Sequence, residues 1–206
     1  DAEGSAGVIN IVTKKNTLQG LSLNIDSGVG VRGSNLGLNG GYRKGKLGFT
    51  LGGWGRSQYN VTGAFENEQL TTNAQGTQIL NTQRAETLNK RLFGSYTLGM
   101  DYDINDKNYI IGSVRFGARN SNVYQDGLIT RSFINDALTN SSLRNVQVSD
   151  LSGTVDVNFN YTKLFDKPQE ELSFLGLYSR NKRNNDFLNQ ILDENTLDIT
   201  NRIKNL

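Results

Sequence analysis

The feature that most constrains this chain is a two-residue alternation of apolar and polar side chains, repeated along at least six long stretches. One of the clearest is 151–162, where Leu, Gly, Val, Phe and Tyr alternate with Ser, Thr, Asp and Asn. Successive side chains of a β-strand point to opposite faces of its sheet. The alternation therefore predicts an all-β, antiparallel protein whose strands have one apolar and one polar face.

The length of these stretches favours a membrane over a soluble core. They run for roughly ten to fourteen residues, whereas a soluble strand commonly has about five or six. A tilted strand that crosses a bilayer needs about 9–11 residues. The sequence thus predicts transmembrane β-strands, with a soluble β-sandwich as the alternative because it can alternate in the same way.

Short and long connections alternate along the chain. The short ones are predicted at 44–46, 105–108 and 166–170, and the long ones at 57–89 and 120–150. Transmembrane barrels show this pattern, with tight turns at one end and long loops at the other. A short connection near 32–34 breaks the pattern.

Aromatic residues lie close to the short turns, which is typical of the belt where lipid headgroups meet water. These residues are Tyr42, Tyr102, Tyr109, Tyr161 and Phe165. The alternative is the general preference of Tyr and Phe for strands. Trp54 and Phe93 depart from the pattern, because both occupy positions that should face the polar side.

Composition excludes several classes of function. The chain has no Cys and no His, so it offers no thiol chemistry and no imidazole ligand or base, and we predict no catalytic residues, metal or cofactor. A formal charge of +2 gives no support for a nucleic-acid partner. Hydrophobic residues make up only 35% of the chain, which suits a barrel as well as a weakly folding soluble protein.

The first residues carry a recognisable motif, in which a Gly-rich turn leads into a short apolar run closed by lysines. Its residues are Gly4, Gly7, Val8, Asn10, Thr13 and Lys14. The motif resembles the end of the plug domain of TonB-dependent outer-membrane receptors, which comes just before the first barrel strand. The stretches 165–173 and 181–186 are more loosely similar to an outer-membrane protein β-barrel family.

This resemblance implies a fragment of a plugged barrel of about 22 strands. Residues 1–16 would end the plug, and 17–206 would supply about seven strands of an open run. The whole protein would be a receptor in the bacterial outer membrane that imports a scarce siderophore, cobalamin, glycan or peptide. Its partners would be membrane lipid, the transported ligand, the TonB energy-coupling complex through a missing N-terminal region, and potentially a surface lipoprotein.

Ten polar residues on the alternating strands are candidates for lining the lumen, although a solvated wall is the commoner role for any one of them. They are Asn24, Asp26, Arg32, Asn39, Arg91, Asp101, Arg115, Arg119, Asp156 and Asn158. The alternatives to an importer are a passive or structural barrel (a pore, adhesion or assembly role), a hydrolase barrel, and a soluble β-sandwich binding module. Seven strands cannot close, so we expect the isolated segment to aggregate through its unpaired edges.

Overall fold

The computed structural model describes residues 19–167 and 170–205, and every regular element in these ranges is a β-strand. All eight strands join in chain order into one open antiparallel sheet. They are β1 (Gly20–Gly30), β2 (Gly33–Lys44), β3 (Leu47–Thr72), β4 (Gln78–Asn105), β5 (Asn108–Ile134), β6 (Ala137–Leu164), β7 (Glu171–Leu192) and β8 (Ile199–Asn205). No helix long and apolar enough to span a membrane occurs in the described ranges.

The four central strands are far longer than predicted. The strands from β3 to β6 have 26 to 28 residues each, so they extend for about 90 Å at a rise of about 3.4 Å per residue. The prediction of long loops at 57–89 and 120–150 was therefore wrong. These residues continue the strands as paired hairpins, whose backbone groups bond to the neighbouring strand while both faces carry polar side chains.

The number of strands was also underestimated, since eight are present where about seven were predicted. The additional strand, β8, pairs with residues 187–192 of β7. Its seven residues are all exposed, and it has a paired neighbour on one side only within the described ranges. A short exposed strand of this kind has no buried face to impose a strict alternation, so the alternation does not reveal it.

Tight turns close both ends of the sheet. At one end they lie at 45–46 and 106–107, close to two of the predicted short connections, and the connection between β6 and β7 lies at the same end. At the other end they lie at 31–32, 73–77, 135–136 and 193–198. Asn135 and Asp136 have φ angles of 46° and 67°. A two-residue turn with positive φ at both positions matches the right-handed twist of its strands, and Asn and Asp tolerate that conformation well.

The alternation predicted from the sequence is realised as two chemically different faces. The face that carries Leu98, Val114 and Val157 is called here the apolar face, and the opposite one, which carries Thr97, Arg115 and Asp156, the polar face. On the apolar face a band of residues has no charged side chain across β1 to β6, and on β7 it is limited to 172–178, because Arg180 and Lys182 lie on this face beside Val155 and Gly153. This apolar band comprises the apolar-face positions of 21–29, 36–42, 47–55, 92–104, 110–118, 151–161 and 172–178.

No second layer covers the apolar band in the described part of the chain. Leu98 is 54% exposed and Phe116 is 50% exposed, although both lie near the middle of the sheet. Among the residues that the structure describes, the buried hydrophobic ones are Ala85 and Leu128, both outside the band. Soluble proteins bury such a face against another element. Here the sheet presents it to the surroundings.

One aromatic side chain on this face locks three strands together. Tyr96 extends from β4 across Gly55 of β3 and donates a hydrogen bond of 2.8 Å from its hydroxyl to the carbonyl of Leu36 on β2. A Cβ atom at Gly55 would lie 2.8 Å from the Tyr96 hydroxyl oxygen. Glycine is therefore required there for the ring to lie flat across the strand.

We expect Gly55→Val to lower the free energy of unfolding by about 1–3 kcal/mol, because the added methyl groups displace the Tyr96 ring. Tyr96→Phe, which removes only the hydroxyl, should cost about 1 kcal/mol. Denaturant titration would measure both. In a Tyr96→Ala background the Gly55→Val penalty should shrink, and an unchanged penalty would show that the ring is not its cause.

The turn between β7 and β8 is organised by one carboxylate. Asp193 Oδ1 accepts hydrogen bonds from the backbone N–H of Asn195 at 2.8 Å and of Thr196 at 3.0 Å. The bond from Thr196, followed by that from Asn195, lowers the pKa of Asp193 below its ordinary value. The turn thus holds the ionised form of this side chain.

Because the folded-state pKa is lowered, the stabilisation by Asp193 should be present above the unfolded pKa of about 3.9 and be lost as the pH falls through the folded value. Amide exchange of Asn195 and Thr196, measured by NMR, would report it. Protection should fall in acid in the native chain and be weak at all pH values in Asp193→Ala. In Asp193→Asn, protection that still fell with acid would contradict the assignment.

Candidate binding surface on the polar face

Nine of the ten residues predicted to line a lumen share the polar face. Register places them there on β1, β2, β4, β5 and β6, as Asn24, Asp26, Asn39, Arg91, Asp101, Arg115, Arg119, Asp156 and Asn158. Arg32 instead lies in the turn after β1. The motif residues Gly4, Gly7, Val8, Asn10, Thr13 and Lys14 lie outside the described residues.

Two of the residues that departed from the alternation meet on this face. The rings of Trp54 on β3 and Phe93 on β4 lie edge to face, with centroids 5.6 Å apart and an interplanar angle of 81°. This arrangement is a favoured one for aromatic pairs. Trp54 nevertheless remains 56% exposed, so the pair forms an apolar island with a free surface on a mostly polar face, where Ile111, Leu175 and Leu177 are further apolar side chains.

Three arginines surround this aromatic pair. Arg56 and Arg119 flank Phe93 in a single register row, one on each neighbouring strand. Arg91 lies two residues from Phe93 on the same strand and therefore on the same face. All three are exposed, and within 19–167 and 170–205 none makes a side-chain hydrogen bond or ion pair.

Strand geometry sets the size of this cluster. Neighbouring strands lie about 4.8 Å apart, so the backbones at Arg56 and Arg119 are about 10 Å apart with Phe93 between them. Successive residues on one face of a strand are separated by about 7 Å, which is the separation of Arg91 from Phe93 along β4. Three long guanidinium side chains can therefore converge above the rings.

The carboxylate next to this cluster is already engaged. Asp150 accepts two hydrogen bonds from Arg183, at 3.0 Å from Nε and 2.6 Å from the terminal nitrogen. This is the paired geometry that guanidinium and carboxylate groups prefer. Arg119 is also close enough to Asp150 to attract it, but with Arg183 four arginines face this one carboxylate, so the surroundings of the cluster carry a net positive charge.

A second charged cluster lies near the turn end of the same face. Arg43 on β2 reaches across β3 to pair with Asp101 and, at 2.5 Å, with Asp103, both on β4. The strand between them carries Gly48 at the crossing point, where a Cβ would collide with the Asp101 carboxylate. The side chain of Arg43 is only 13% exposed, which marks this cluster as structural.

Several other polar residues of this face form short cross-strand pairs. Asp156 accepts a hydrogen bond from Ser179 at 2.6 Å, and Arg115 donates one to Ser95 at 2.9 Å. Asn158 donates to Ser113 at 3.2 Å. These contacts satisfy the side chains locally. The unpaired arginines beside Trp54 are therefore the part of the surface best equipped to bind another molecule.

The chemistry offered by this face is binding by charge, hydrogen bonds and aromatic surface. In the described ranges, no three carboxylate, Cys or His side chains group closely enough to hold a metal ion.

No protein family model, curated protein or solved structure matches the chain.

We expect Arg43→Met to destabilise the sheet by about 1–3 kcal/mol, because two partly buried carboxylates lose their counter-charge. The loss should show in denaturant titration. Arg115→Met, on the same face but bound only to a serine, serves as the matched control and should cost less. Equal losses in the two variants would argue against the Arg43 cluster as a structural tie.

Proposed function

We propose that this chain is part of the wall of an outer-membrane β-barrel, and that the barrel is a TonB-coupled importer. The observation that best supports a barrel is the contrast in charge between the two faces of the sheet at the same positions along the strands. The apolar band has no charged side chain across its full height on β1 to β6 and over 172–178 of β7, while the polar face behind it carries arginines and aspartates from β1 to β7. Lipid outside and water inside would produce this contrast.

The height of the band supports the same proposal. On β3, β5 and β6 the band covers nine to eleven residues (47–55, 110–118 and 151–161), and a tilted transmembrane strand needs about 9–11. The rest of β3 to β6 continues beyond the band as polar hairpins. These hairpins would project from the membrane on the side opposite the turns at 45–46 and 106–107.

Aromatic and basic residues lie at both edges of the band. At the turn end, Tyr102, Tyr161 and Phe174 belong to one register row. Lys163 lies just beyond this row, with Nζ 5.1 Å from the ring centre of Phe165. At the other edge, Nζ of Lys90 is 5.4 Å from the ring centre of Tyr124. Such residues suit a membrane interface, where a ring or an aliphatic stem stays in lipid and the polar tip reaches water.

A soluble β-sandwich finds no support in the described residues, because the apolar band is exposed and no second sheet faces it. The importer, as opposed to a passive pore or an assembly barrel, rests on the resemblance of the N-terminal motif to a plug-domain end. The barrel would also need more strands than these eight, since residues 171–186 of β7 have no described neighbour on one side.

The barrel proposal can be tested by comparing two variants that place a lysine on opposite faces of the same strand. Val157 and Asn158 are adjacent on β6, near the middle of the band, and point to opposite faces. Val157→Lys should destabilise the folded protein by about 2–4 kcal/mol in bilayers, because it exposes a charge to lipid. Asn158→Lys, in the aqueous interior, should have little effect.

Folding in lipid vesicles as a function of urea concentration would measure both variants. Equal effects on the two faces would overturn the barrel, as would recovery of the native protein in the soluble fraction of lysed cells. The import activity would be tested separately, by comparing uptake of iron chelates, cobalamin, glycans and peptides in cells lacking this gene or TonB. Uptake that requires the gene but not TonB would favour a passive pore.

A further inference from the structure

We infer that the polar face holds a binding site for an anionic ligand that carries a flat ring, built by Arg56, Arg91 and Arg119 around Trp54 and Phe93. The role of this site in transport rests on the proposed function, because a ligand would reach it through an enclosed aqueous interior. The binding itself does not depend on transport.

The charge of the cluster selects an anion. Arg56, Arg91 and Arg119 have no acceptor in the described part of the chain, and the neighbouring Asp150 is held by Arg183. Guanidinium groups bind carboxylates and phosphates in pairs of parallel hydrogen bonds. Other exposed arginines of the sheet, such as Arg131 and Arg180, also have no side-chain acceptor in the described ranges. What distinguishes the three of the cluster is their position around the aromatic pair.

The aromatic pair selects a ring. Trp54 is more than half exposed although its edge-to-face contact with Phe93 fixes its position. The face of a rigid, exposed indole ring is apolar and poorly solvated by water, so it offers a surface on which another ring can stack. An aliphatic anion would leave that surface uncovered, and a neutral ring would leave three guanidinium groups unpaired.

The spacing limits the size of the ligand. The backbones at Arg56 and Arg119 are about 10 Å apart, and Phe93 lies midway between them. A single ring bearing two or three anionic groups spans this gap, with its plane over the aromatic pair and its anions directed to the flanking arginines.

The test uses three probes of similar shape on the purified protein in detergent micelles. Trimesate combines a benzene ring with three carboxylates, cyclohexane tricarboxylate keeps the charges without the aromatic ring, and benzene tricarboxamide keeps the ring without the charges. Fluorescence quenching that disappears in Trp54→Phe isolates the signal of this site, and calorimetry gives the Kd. Trimesate should bind tightest, and the amide should show no binding at the same concentrations.

Substitution identifies the residues responsible. Arg56→Gln, Arg91→Gln and Arg119→Gln should each raise the Kd for trimesate about three- to tenfold. Arg131→Gln is the matched control, since Arg131 is exposed on the opposite face of β5 and should leave the Kd unchanged. The ranking of the three probes on the native protein needs no variant and remains informative where a variant folds poorly.

Absence of trimesate binding, equal binding of the amide, or a Kd that survives all three arginine substitutions would overturn the site. These outcomes are distinct from failure of the barrel. If the protein were found in the soluble fraction and still bound the three probes in the expected order of affinity, the proposed function would be contradicted and the binding site would be supported. A membrane-inserted protein that does not discriminate between the probes would do the reverse.

Discussion

Backbone hydrogen bonding between neighbouring strands is the interaction on which this molecule depends. A soluble domain has a packed core to hold its layers together, but here the described residues form one layer, and the buried hydrophobic residues are only Ala85 and Leu128. The ladder must therefore hold the sheet, and its strength depends on what lies against each face. In an apolar surrounding an unpaired backbone group costs several kcal/mol, so a fully paired ladder becomes strongly favoured. The stability of the sheet therefore depends on the chemistry of its two faces.

The sequence was informative wherever one face had to be apolar. Within the band a strand that slips by one residue would exchange its faces, so the alternation at 92–104 or 151–161 identifies both the strand and its orientation. Beyond the band this constraint disappears, because both faces carry polar side chains. The residues 57–89 and 120–150 therefore had the composition of loops although they continue as strands. One local signal available there was Asn135-Asp136, a pair that favours the tight turn it forms between β5 and β6.

The binding surface was harder to predict, since it depends on which residues of different strands become neighbours. Parity alone placed Arg91 and Arg119 on the polar face. It could not show that Arg56 and Arg119 flank Phe93, because that requires the register of three strands. Trp54 and Phe93 each looked like an isolated exception in the sequence, and their contact explains both. Likewise, the pairing of Arg43 with Asp101 depends on the missing side chain of Gly48, which is visible only when the strands are aligned.

The order of the strands has a consequence for how such a sheet is built and how it can change. Every strand pairs only with the one before it and the one after it in the chain, so no contact requires a distant segment to arrive first. Each hairpin can zip from its own turn, which keeps the entropy of chain closure low for a β-protein of this length. The architecture is consequently modular in one dimension. Duplication or loss of a hairpin would widen or narrow the wall while leaving every other pairing in register.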